Sequence, residues 1–152
     1  MSKSYEIGYW KQRVDPSPPF PAGYDAYRPF LRIELIVPST GKTFSTIALA
    51  DTGADDCTFP LSFLAPLGLD QTKLPMRTTV GLGGSMNDTF YANVRIKIRF
   101  PPTKDSETFE TLAGFTAGMD KFGGGLLGQR GFFEAFRVVF DRKAHLLRMQ
   151  RY

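Results

Sequence analysis

Ile47-Ala48-Leu49-Ala50-Asp51-Thr52-Gly53-Ala54-Asp55-Asp56 is the stretch on which the reading of this chain turns. Four apolar residues run straight into an acid, a hydroxyl and a glycine. That order puts a carboxylate on a tight turn where a strand leaves its sheet. Gly53 lets the backbone approach a neighbour closely, and the Thr52 hydroxyl can anchor the turn through backbone hydrogen bonds. An acid in a turn is ordinarily a turn residue and nothing more, so the triplet takes its meaning from its surroundings.

Upstream, residues 30–37 read as a strand, Pro38-Ser39-Thr40-Gly41 as a turn, and residues 43–50 as the hairpin partner that delivers Asp51. Gly41-Lys42-Thr43 is not a phosphate-binding loop, because Ile36 stands where that motif needs its first glycine. Downstream, residues 59–68 predict one short helical segment closed by Gly68. Strands follow over 78–82 and 89–100, joined through residues 83–88. The second alternates without a break from Val94 to Phe100. A polar loop over 101–107 leads to a strand over 108–117, and Leu126-Leu127-Gly128 forms a short apolar run. Residues 131–136 predict a short helix with Phe132, Phe133 and Phe136 on one face. A hairpin around residues 141–144 ends the chain. The expectation is an all-β fold with one or two short helices.

Residues 1–28 read differently. Pro16, Pro18, Pro19 and Pro21 cannot continue a helix or a central strand. This segment predicts an arm whose Tyr9, Trp10, Phe20, Tyr24 and Tyr27 pack on a surface, of its own subunit or of a partner. Residues 29–152 would form the domain proper.

The 152 residues suit one domain with a real core, and the 15 Gly, 11 Pro and 14 Phe favour strands punctuated by turns. The net charge of +4 is mild. Arg95, Lys97 and Arg99 alternate with apolar residues, which fits a solvated strand face better than a nucleic-acid footprint. One histidine and one cysteine leave too few ligands for zinc and no internal disulfide, so no cofactor and no metal site are expected. A nucleophilic triad would have only His145 as its base. The N-terminus lacks a signal-peptide core and no run reaches membrane-spanning length. A cytoplasmic protein without membrane or nucleic-acid partners is expected.

Two further features follow Asp51-Thr52-Gly53 in order: Gly81-Leu82-Gly83-Gly84 at the bend of a hairpin, and Leu126-Leu127-Gly128 before a helix-like segment. Together the three resemble the retropepsin family of aspartic proteases over about residues 30–150. The resemblance implies a closed, barrel-like single-lobe acid-protease fold. It makes Asp51, Thr52 and Gly53 the catalytic turn and Ala54, Asp55 and Asp56 its substrate-facing continuation. Gly81, Leu82, Gly83 and Gly84 would be a flap tip with amides free to bond a peptide, and Leu126 and Leu127 pocket walls. With a single Asp-Thr-Gly, the two carboxylates that activate a water must come from two chains, so a homodimer acting on extended peptide or protein segments is implied. The alternative is a dimeric module of the same fold that binds peptides without cutting them. One departure stands out. The family follows its signature glycine with an arginine that pairs with the acid corresponding to Asp55, whereas Gln129 comes first here and Arg130 second.

Overall fold

Alternation of apolar and polar side chains carries most of the chain into strands, and their order closes them on one core. The computed structural model describes residues 2–81 and 83–152. Strands β4 (Phe30–Ile36), β5 (Thr43–Ala50), β6 (Thr58–Pro60), β7 (Met76–Val80), β8 (Met86–Arg99), β9 (Ser106–Thr116) and β10 (Gly125–Leu127) form one mixed sheet in the order β4-β5-β10-β6-β9-β8-β7. Because β4 also pairs with the far half of β8, six of these strands close into a barrel and β7 hangs from the near half of β8. The all-β fold expected from the sequence is the fold observed.

Inward-facing Leu31, Ile33, Leu35, Ala48, Ala50, Val94, Ile96, Ile98, Phe59 and Phe115 fill the barrel. Outward-facing Arg95 and Arg99 meet Glu110 at 2.7 Å and Glu34 at 3.0 Å across neighbouring strands. The basic stripe is therefore largely matched by acids, as a solvated face would be.

Residues 4–28 hold three short strands. β1 (Ser4–Gly8) pairs antiparallel with β12 (Leu146–Arg151), whose other neighbour is β11 (Phe136–Asp141). Tyr5 stacks on Phe100 with centroids 3.9 Å apart. β2 (Trp10–Val14) and β3 (Tyr24–Arg28) form a hairpin around the proline-rich turn, with Trp10 set against Phe30 and Tyr27 stacked on His145. The aromatic residues near the N-terminus thus pack largely on their own subunit. The prolines break the pattern only at the turn, which is why the flanking strands escape a reading centred on them.

Two expected helices shrink. Phe59 and Pro60 belong to β6, Leu61–Phe63 make a single 3-10 turn, and Gly68 closes the segment with φ +71°. Arg130 and Gly131 have non-helical backbone, Gly131 with φ +89°, so only about one helical turn remains before β11. Phe132 and Phe136 still share a cluster with Phe109, while Phe133 lies edge-on to Phe132 nearer the surface.

Candidate active site

β10 lies between β5 and β6, parallel to the first and antiparallel to the second. The chain leaving β5 must therefore loop over the end of β10 before it returns as β6. That loop is residues 51–57. Leu127 and Ala50 lie side by side at the strand ends, and the Asp51 N–H donates to the Leu127 carbonyl at 3.0 Å. The Ala54 N–H donates to the Asp51 carbonyl at 3.2 Å and closes the turn. Asp51 Oδ1 accepts from the Gly53 N–H at 2.9 Å, so the half-buried carboxylate is aimed by its own loop.

The far side of the loop is tied to the segment after β10. Gln129 N–H donates to the Ala54 carbonyl at 2.8 Å and Arg130 N–H to the Asp55 carbonyl at 2.9 Å. A side chain at Gly128 would run into the carbonyl oxygens of Ala54 and Asp56, so only glycine permits this approach. Gln129 Nε2 donates to the Thr52 carbonyl at 2.8 Å. Arg130 Nε donates to Asp56 Oδ1 at 2.6 Å, so its guanidinium serves Asp56 and not Asp55. Asp55 gives Arg130 only its backbone carbonyl, and its side chain is exposed. Cys57, next along, is buried beneath the loop, and burial pushes its thiol up to about 11.

Asp51, Gly53, Ala54, Asp55, Asp56, Gly81 and Leu126 line one cleft of about 510 Å³ between the turn and the β7–β8 hairpin. Thr52 points instead into a neighbouring groove with Arg28, Pro29, Leu49 and Phe140. Leu127, expected beside Leu126 as a pocket wall, is wholly buried in the core, because adjacent strand residues face opposite ways. Leu82 lies outside the described residues. Gly83 and Gly84, with φ +84° and +80°, form the exposed bend of the hairpin. The amides expected to be free there are partly used: Gly81 N–H donates to Ser85 O and Gly84 N–H to Gly81 O.

The remaining cleft wall is not among the residues expected from the sequence. Thr58, Thr79, Asn87, Thr89, Tyr91 and Thr116 line it, with Gly118 and Met119. Register explains the set: Thr58 stands opposite Gly114, Thr89 opposite Thr116, and Thr79 opposite Asn87. Asn87-Asp88-Thr89-Phe90-Tyr91 carries the signal as an alternation of polar and other residues, but nothing in the sequence says which face meets Asp51.

The chain aligns with the solved structure of a retropepsin-like aspartic protease from Rickettsia conorii at 18% identity and TM-score 0.53, covering 91% of this chain and 98% of that one. The fold is the single-lobe acid-protease fold. No family model matches the sequence, and no curated protein matches it. Among the described residues, no cluster of His, Cys, Asp or Glu is arranged to hold a metal ion, and no helix is long and apolar enough to cross a membrane.

Proposed function

We propose that the chain is a retropepsin-like aspartic endopeptidase that works as a homodimer, with Asp51 of each copy meeting across a twofold axis. The observation that carries this reading is the Asp51 carboxylate at the end of β5, aimed by the Gly53 amide and facing a cleft of about 510 Å³ under the β7–β8 hairpin. Two carboxylates close together cannot both ionise easily, so the pair shares a proton. The ionised member takes a proton from a water as the water oxygen bonds to the scissile carbonyl carbon, while the protonated one donates to the carbonyl oxygen. The resulting tetrahedral carbon then releases the amine, which leaves with a proton, and the products are an acid and an amine.

What supports association is the surface beside the turn. Thr52 is exposed in the single chain, in a groove with Leu49, Pro29 and Phe140. β11 has no partner strand on its outer side among the described residues, and it exposes Val139 and Phe140. An unpaired apolar edge next to an incomplete site is where a second copy would sit. The substrate would lie extended in the cleft under the β7–β8 hairpin, bonded through its backbone like an added strand. The proposed setting is the cytoplasm, where the free Cys57 stays reduced.

The test is digestion of a mixed peptide library by wild type and Asp51→Asn side by side. The substitution should lower cleavage by at least about a thousandfold while the protein stays folded, because it removes the acid–base pair. Equal cleavage by the two proteins would end the proposal, and binding without cleavage by both would leave the peptide-binding module.

A further inference from the structure

Thr116 ends β9 on the cleft side. It is 7% exposed, and its Oγ1 has no hydrogen-bond partner among the described residues. It is the one buried side-chain oxygen or nitrogen among them in that condition. Its neighbours are also hydroxyls. Thr89, 3% exposed, stands directly opposite it on β8, and Thr89 Oγ1 lies 2.8 Å from Thr79 Oγ1 on β7. Thr58 Oγ1, on the other side of β9, reaches back to the Asp56 carbonyl at 3.4 Å. The Asn87 carboxamide lies against Gly118 at the same rim. Four adjacent strands thus present one continuous polar face between Asp56 and the hairpin.

A buried hydroxyl without a partner loses its hydration and regains nothing, so such groups are rare unless something binds them. We infer that this threonine face is a specificity subsite of the proposed protease, taking a neutral hydrogen-bonding side chain of the substrate: Ser, Thr, Asn or Gln. The inference rests on the reading of the cleft as a peptide site. An apolar side chain there would leave Thr116 Oγ1, already shut off from solvent, without a partner. An acidic one would meet Asp51, Asp55 and Asp56 in the same cleft. A basic one would find Asp56 already bonded to Arg130 and, beyond Asp51, only the exposed Asp55 left to pair with, where solvent screens the attraction. Because a twofold axis duplicates the pocket, the same preference would recur at equal distances on both sides of the scissile bond.

The experiment uses the full chain in two parallel arms with short synthetic peptides randomised one position at a time. In one arm wild type, Thr116→Val, Thr79→Val and Thr116→Ser cleave the peptides. In the other, Asp51→Asn proteins with and without Thr116→Val retain them by binding. Wild type should favour Ser, Thr, Asn or Gln over Val or Leu by about tenfold at one position on each side, the worth of one net neutral hydrogen bond. Thr116→Val and Thr79→Val should each erase or reverse that preference, and Thr116→Ser should keep it. Should Thr116→Val fail to fold, Thr79→Val on the partly exposed rim carries the same test. Cleavage with apolar preference at every position, or profiles unchanged by both valines, would overturn the subsite and leave the protease standing. Binding with the polar preference but no cleavage would keep the subsite and remove the protease. Neither binding nor cleavage would remove both.

Discussion

Arg130 does for this loop what a register one residue earlier would have done differently. Its guanidinium bonds Asp56, whose side chain is 14% exposed, and leaves Asp55 in solvent. The Arg130 end of the pair is 59% exposed, so water screens much of the attraction. Arg130→Met and Asp56→Asn are each expected to cost about 1 kcal/mol in urea unfolding, and the double variant no more than the larger single. Asp55→Asn should lie within about 0.5 kcal/mol of wild type. A large loss at Asp55 with none at Asp56 would mean that Arg130 supports Asp55 instead. The sequence places Asp51, Thr52 and Gly53 on one turn and Gly128 near it. It does not show that Gln129 braces the Thr52 carbonyl, because side-chain reach across two loops is set by their separation and not by spacing along the chain.

Cys57 gives the loop a signature in alkali. Burial holds its thiol at about 11 against an ordinary value of 9.0. A raised folded value means the unfolded chain loses its proton first, so stability is full below about pH 9 and falls as pH rises toward 11. The loss amounts to about 2–3 kcal/mol. Tyr5, Tyr9 and Tyr91 are also raised by burial and add to the same slope, so the useful quantity is the difference between wild type and Cys57→Ala. That difference should shrink between pH 9 and 11 in unfolding curves. A constant difference would mean the thiol is not shielded as the packing requires.

Strand alternation makes β4, β5 and the second half of β8 legible in the sequence, since Leu31, Ile33 and Leu35 or Val94, Ile96 and Ile98 mark one face each. β1 and β2 are not legible there, because Ser4–Gly8 and Trp10–Val14 stay largely exposed and are strands through pairing with β12 and β3. β6 is hidden because it is only three residues long: all three pair in parallel with β9, and Thr58 alone pairs antiparallel with β10. The Tyr5–Phe100 stack tests whether β1 is integral. Tyr5→Ala should destabilise by about 2 kcal/mol in thermal or urea unfolding. A shift near zero would mean that β1 is a detachable arm after all.

The barrel, the β1-β12-β11 sheet and the β2–β3 hairpin bring one Asp-Thr-Gly turn to the surface beside β11, whose outer edge is unpaired among the described residues. On the proposed reading, the chain alone would supply half of an acid–base pair. The most direct measurement is to hold wild-type protein constant, add increasing amounts of Asp51→Asn, allow subunits to exchange, and follow peptide cleavage. If the two aspartates must come from different copies, activity should fall to about half at equal amounts and to about a tenth at a ninefold excess, as mixed pairs replace matched ones. Activity that stays constant at every ratio would show that one chain suffices, and would contradict the account.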